Sequence, residues 1–166
     1  MILAGGRGTR FKEYTEDIPK PMIEALGRPL LLHIIDLYAK YNIENVLILA
    51  GYKKEVITNY FSDKFKSSKE NVFIYKNIRI QILDTGLDTM TGGRVFKGLD
   101  YISEENFYLT YGDGLSDVDI SELTKFHFEK KSKVTLTAVR PPARFGSLEL
   151  NNHKVMRFGE KLNTSE

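Results

Sequence analysis

A chain of 166 residues is long enough to bury one hydrophobic core. Its 42% hydrophobic and 28% charged residues read as globular, and a net charge of +2 gives no general attraction to nucleic acid or to an anionic membrane surface. The absence of cysteine excludes disulfides, thiolate nucleophiles and zinc–thiolate sites. Apolar runs such as Pro29 to Leu32 and Val46 to Ala50 are far too short to span a bilayer. The opening Met1-Ile2-Leu3-Ala4-Gly5 lacks the basic region and long apolar run of a signal peptide, so a cytoplasmic location is expected.

In chain order, strand and helix patterns alternate. Met1 to Ala4 reads as a buried strand that empties into Gly5-Gly6, and residues 5–21 as one long loop. A helix is predicted from Pro29, at its first position, to about Tyr41, with Leu30, Ile34, Leu37 and Tyr38 at helical spacing. Val46 to Ala50 is an unbroken apolar run, as expected in a parallel sheet covered on both faces. A second helix follows from Lys53 to about Phe61, then a polar surface loop over Lys64 to Glu70 and a strand over Ile78 to Leu83. Gly92 to Tyr101 reads as a helix and Phe107 to Tyr111 as a strand ended by Gly112-Asp113-Gly114. Asp119 and Glu122 form a capping arrangement for a helix carrying Ile120, Leu123, Phe126 and His127. Val134 to Val139 is rich in β-branched residues and reads as a strand. Gly146 to Leu150 and Lys154 to Phe158 read as a hairpin turning near Asn151-Asn152-His153. The sum is one α/β domain over residues 1–166, Rossmann-like, with a mostly parallel sheet and helices on both faces.

The sharpest motif is Leu3-Ala4-Gly5-Gly6-Arg7-Gly8-Thr9-Arg10, followed by Pro19-Lys20-Pro21-Met22. A strand that ends in a glycine-rich loop suits phosphate, because missing Cβ atoms let backbone N–H groups approach anionic oxygens. Arg10 and Lys20 add charge-assisted hydrogen bonds to the same phosphates. It is not a P-loop, since Gly8 is followed by Thr9-Arg10 rather than Lys-Ser/Thr, and Phe11 stands where a dinucleotide fingerprint needs its third glycine. Pro19 and Pro21 are expected to hold their segment extended.

Two further constellations follow. Asp113 lies just past a strand, where a carboxylate can hold Mg²⁺ together with phosphate oxygens; in isolation Asp113-Gly114 is an ordinary turn. Asp84-Thr85-Gly86 through Thr89-Met90-Thr91-Gly92-Gly93-Arg94 is a polar loop opening a helix. Its exposed N–H groups either meet an anion or base edge, or simply start a helix. The three histidines, His33, His127 and His153, show no metal-ligand spacing, and there is no Gly-x-Ser-x-Gly nucleophile elbow.

The glycine loop and Pro-Lys-Pro together resemble the signature of the sugar-1-phosphate nucleotidyltransferases, along the whole chain. That resemblance implies the nucleotide-diphospho-sugar transferase fold, with Leu3, Ala4, Gly5, Gly6, Arg7, Gly8, Thr9, Arg10 and Lys20 around a nucleoside triphosphate and Arg10, Lys20 and Asp113 catalytic. Asp113 becomes a Mg²⁺ ligand, with Gly112 beside the nucleotide. The string Met90-Thr91-Gly92-Gly93-Arg94 resembles the cytidylyltransferase branch, which implies CTP and glucose 1-phosphate as substrates and Thr89 and Arg94 as nucleotide contacts; sister enzymes use dTTP, UTP or GTP. By the same resemblance, Gly146, Glu160 and Lys161 lie at the sugar phosphate; by chemistry alone these segments are a turn and a solvated charge pair.

The implied reaction needs no general base, because a sugar phosphate with a second pKa of about 6 is already a dianion near neutral pH. A non-catalytic nucleotide sensor on this fold would be expected to lose Arg10, Lys20 or Asp113, and all three are present. The family pattern also implies that further strands, a second metal aspartate and contacts of a homo-oligomer belong to a longer chain that continues past Glu166.

Overall fold

The computed structural model describes residues 1–8, 17–139 and 147–159. The chain divides into two compact units, 1–124 and 125–166. The first starts with strand β1 (Ile2–Ala4), a 3-10 turn (Lys20–Met22) and a small hairpin of β2 (Glu24–Ala25) and β3 (Arg28–Pro29). Helix α1 (Leu30–Ala39), β4 (Asn45–Ala50), α2 (Lys54–Lys64), β5 (Lys66–Lys69), β6 (Val72–Tyr75) and β7 (Ile78–Asp84) follow. Then come α3 (Thr91–Leu99), β8 (Thr110–Tyr111) and α4 (Ile120–Lys130), which carries the chain into the second unit. There β9 (Ser147–Asn151) and β10 (Lys154–Gly159) pair as the expected antiparallel hairpin, with Asn152 in the left-handed region its turn requires.

In the first unit six strands form one sheet in the order β5-β6-β7-β4-β1-β8. The strands β7, β4, β1 and β8 are mutually parallel, and β5 and β6 extend the sheet antiparallel. Side-chain alternation divides the core. Ile2, Ala4, Val46, Ile48, Ala50, Ile80 and Ile82 pack with Leu31 and Ile35 of α1 and with Ile57 and Phe61 of α2. Leu3, Leu47 and Leu49 point to the other face, where Leu83 of β7 and Val95 of α3 pack against them. Helices on both faces are why β4 is apolar without interruption. Each large aliphatic side chain so buried contributes about 2 kcal/mol.

The order of strands positions the site. The chain steps from β1 outward to β4 and β7, then returns to β8 on the other side of β1. The carboxyl ends of β1 and β8 therefore flank a topological switch point, the place where open α/β sheets leave a crevice for ligand.

Several elements depart from the sequence reading. Pro29 pairs in β3 and precedes the helix, which starts at Leu30. Leu26 and Gly27, both left-handed, make the tight turn that permits this hairpin. The polar stretch expected as a loop is edge strand β5, fully exposed, with Ser67 Oγ donating to the carbonyls of Lys69 and Val72. Lysine-bearing polar edges are how sheets discourage further pairing, so polarity here marks an edge rather than a loop. Strand β6 was missed beside it; consecutive left-handed Lys76 and Asn77 turn it back into β7. Only Thr110 and Tyr111 of the expected strand 107–111 pair with β1. In the second unit Val134 to Val139 has no strand partner among the described residues, and Val134, Leu136 and Val139 are exposed; β-branched composition favours a strand, but pairing makes one. No helix among the described residues is long and apolar enough to cross a membrane.

Candidate active site

Lys20 and Asp113 meet at the switch point. Pro19 is extended and buried, and the 3-10 turn begins at Lys20, closed by hydrogen bonds from Met22 N–H to Pro19 O and from Ile23 N–H to Lys20 O. Extended geometry thus holds for Pro19 but not for Pro21, which lies in the turn. Pro21 packs on Gly112, where an added Cβ would come within 2.8 Å of its ring and 3.0 Å of Leu3 O. Gly112 N–H also donates to Leu3 O. The close approach of these two backbones delivers Lys20 Nζ onto Asp113 Oδ2 as an ion pair. Its side chains are 32% and 28% exposed, so the pair borders solvent at the mouth of the crevice.

Arg94 reaches the same carboxyl edge of the sheet from α3. Its side chain turns inward from α3, 4% exposed, and its guanidinium is spent on the protein. Nη1 donates to Thr85 Oγ1 (2.5 Å), Gly86 O (2.7 Å) and Ala50 O (3.3 Å); Nη2 donates to Gly5 O (2.8 Å) and Leu87 O (3.2 Å). Fully buried Thr85 passes the contact on, donating from Oγ1 to Ala50 O at 2.5 Å. Burial pulls the guanidinium pKa down from its ordinary value, and the charge of Asp84 partly opposes that. Gly5 and Gly51 exist for this side chain: a Cβ on either would stand 2.2 or 2.3 Å from Nη1. In this structure the side chain ties together the loops that follow β1, β4 and β7.

Around the cage the same loops are joined at the surface. Arg7 Nη2 reaches Asp88 Oδ1 at 2.7 Å, bridging the glycine loop to the loop after β7. Thr89 Oγ1 donates to Thr85 O at 2.6 Å, so this implied contact residue also serves its own loop. Lys97 Nζ donates to the same carbonyl at 2.9 Å. Asp84 pairs with Lys54 and accepts the Gly86 N–H at 2.9 Å; these two partners hold its carboxyl below the usual range. Sequence reasoning missed Thr85 and Gly51 as parts of the site. Their signal was only a strand end followed by a small residue, which many loops share.

Thr9, Arg10, Gly146, Glu160 and Lys161 lie outside the described residues. Among the described residues no three acidic or histidine side chains gather to hold a metal. Asp113 alone still fits Mg²⁺, which takes one or two carboxylates and completes its shell with phosphate oxygens and water.

The lysine and the carboxylate thus meet at the switch point of a mostly parallel sheet, at the strand ends from which the glycine loop departs. The Nucleotidyl transferase family model matches residues 1–166, and the chain belongs to this enzyme family. It is 40% identical over 174 residues to the glucose-1-phosphate cytidylyltransferase of Salmonella typhimurium strain LT2, covering 97% of this chain and 68% of the relative. A D-glycero-alpha-D-manno-heptose 1-phosphate guanylyltransferase of Campylobacter jejuni is 33% identical over 163 residues, with 98% and 68% covered. Among solved structures, HddC from Yersinia pseudotuberculosis superposes with a TM-score of 0.67 at 25% identity, over 96% of this chain and 68% of that one. UDP-glucose pyrophosphorylase in complex with UDP-glucose shares the fold at a TM-score of 0.60 and 18% identity, over 98% and 68%.

Proposed function

We propose that this chain carries the nucleotide-binding part of an enzyme that transfers a cytidylyl group from CTP to α-D-glucose 1-phosphate, in the cytoplasm, as one domain over residues 1–166. The meeting of Lys20 and Asp113 beside the glycine loop carries the reading. The 40% identity to a relative of that name supports the choice of CTP and glucose 1-phosphate.

In the proposed reaction a phosphate oxygen of the sugar phosphate attacks the α-phosphorus of CTP in line. The new phosphorus–oxygen bond forms as the bond to pyrophosphate breaks, and the electron pair leaves on pyrophosphate. The attacking dianion needs no proton removed. Catalysis then rests on position and on charge. The loop Leu3 to Arg10 cradles the triphosphate through its backbone, and Lys20 and Arg10 neutralise charge that grows on the phosphate oxygens. Asp113, next to Gly112, would hold Mg²⁺, which when bound supplies further neutralisation there. Gly146, Glu160 and Lys161 receive the sugar phosphate, and Thr89 lines the nucleotide side. The protein assembles from identical chains.

Calorimetric titration with CTP, dTTP, UTP and GTP in Mg²⁺ tests the reading, with Lys20→Ala as control. CTP should bind selectively and the substitution should weaken it. Preference for GTP would move the chain toward the guanylyltransferase relatives, and no binding by a folded chain would remove the nucleotide reading.

A further inference from the structure

The ion pair at the mouth of the crevice sets one carboxylate against two cations. Lys20 Nζ stands on Asp113 Oδ2. Asp113 is also the side chain that fits Mg²⁺, which binds carboxylate oxygen directly and carries a double charge. An ammonium and a divalent cation in contact with one carboxylate repel each other strongly. Both side chains border solvent, so either can change partner without stranding a charge. Asp36 is built otherwise. It is 17% exposed, and its two oxygens take Arg28, Lys76 and the Tyr75 hydroxyl together, as a fixed structural tie.

The backbones that carry Lys20 and Asp113 are held, whereas the lysine side chain is not. Lys20 lies between Pro19 and Pro21, in a turn closed by the Met22 and Ile23 N–H groups. Pro21 rests on Gly112, the neighbour of Asp113, and Gly112 N–H donates to Leu3 O. An exchange of partners therefore needs no movement of the turn. The ammonium rides on a flexible four-carbon stem with three rotatable donors, which suits it to leave one anion for another. The glycine loop starts from the same strand end, one residue past Ala4.

We propose that Lys20 is a displaceable counter-ion of Asp113: it neutralises the carboxylate in the metal-free protein, and gives it up to a divalent cation as the ammonium moves to the phosphates of the nucleotide. The proposal rests on the nucleotide reading above for where the ammonium goes, but not for its competition with metal. The exchange couples the two ligands. Metal alone must displace Lys20 with no anion to receive it. Triphosphate alone must draw Lys20 away and leave Asp113 bare beside another anion. Bound together, each removes the cost of the other, so the coupling is positive and reciprocal.

Lys20→Ala tests this with Mn²⁺ as the probe, its free concentration read by electron paramagnetic resonance. In nucleotide-free protein the substitution should tighten Mn²⁺ binding by about tenfold or more, because a like charge beside the ligand is gone. Asp113→Asn on that background should abolish the gain. The same Lys20→Ala should weaken CTP binding in Mg²⁺, so one substitution moves the two ligands in opposite directions, which a merely structural lysine would not do. Lys54→Ala removes a lysine from a different aspartate, Asp84, and should leave Mn²⁺ affinity within about twofold. An equal gain in Lys54→Ala would overturn the proposal in favour of a general field. Mn²⁺ binding in Lys20→Ala that is unchanged, weaker or as undetectable as in wild type would also overturn it. Should Lys20→Ala not fold, Lys20→Gln keeps the length of the side chain without its charge and carries the same expectations. Failure of the wild-type chain to bind any triphosphate would instead sink the nucleotide reading, and the Mn²⁺ arm would still decide the competition.

Discussion

Two cations at the carboxyl edge of the same sheet are used in opposite ways. Lys20 sits a third exposed on an acidic partner, at the mouth of the crevice. Arg94 is enclosed, and neutral backbone carbonyls are its partners. A cation that must meet a ligand is kept near water, where exchanging one anionic partner for another costs little. A cation that must hold backbone is placed where leaving its partners would strand a charge. The difference teaches that two basic residues at one edge can be held in opposite ways, one bordering solvent on a carboxylate and one buried on backbone.

Substitutions can break this contrast. Lys20→Ala should have the largest effect, lowering kcat/KM by about 10²–10³-fold, the usual cost of one charge-stabilising donor. Its melting temperature should move little, because a pair bordering solvent contributes less than about 1 kcal/mol. Steady-state kinetics beside a thermal melt would show both; a large loss of stability would mean that Lys20 is structural. Arg94→Met should reverse the balance. Leaving several buried carbonyls without a donor costs about 3 kcal/mol, a fall of roughly 6–12 °C in Tm for a chain of this size. Gly51→Ala approaches the same cage from outside. Its Cβ would stand 2.3 Å from Nη1 and 2.7 Å from Gly86 O, so a loss of about 2 kcal/mol is expected for forcing them apart. A double substitution with Arg94→Met should cost less than the sum of the two, since the guanidinium that clashes is then gone.

How much of this was readable from the residues follows the same division. The parallel core was legible because Val46 to Ala50 admits little but a strand covered on both faces. The Asp119 cap was legible because a side-chain acceptor at a helix start has one local job, and its Oδ1 accepts from Ser121 and Glu122 N–H as expected. Strand β5 was not, because Lys-Ser-Ser-Lys is polar for the sake of an edge, a property of its neighbours. The Arg94 cage was not legible either. Gly5, Gly51, Thr85 and Arg94 are scattered along the chain, and only the sheet brings them together. Motif resemblance implied a nucleotide contact for Arg94, but a motif records which residue is present and not which way it turns.

The smallest expected effect sharpens the contrast most. Asp84 ends β7, next to the loop that forms the cage, but faces outward, with its side chain 48% exposed against Lys54. Lys54 and the Gly86 amide lower its pKa below the ordinary 3.8, so its stabilisation is present above that value and is lost as pH falls through the folded-state value. Solvent screening keeps the contribution under about 1 kcal/mol. Melting curves of wild type and Asp84→Asn should therefore differ slightly at pH 7 and converge below pH 3.8, and 1 M salt should shrink the pH 7 difference. A loss as large as that of Arg94→Met would mean that the outer ion pair, rather than the buried guanidinium, holds the loop after β7 in place.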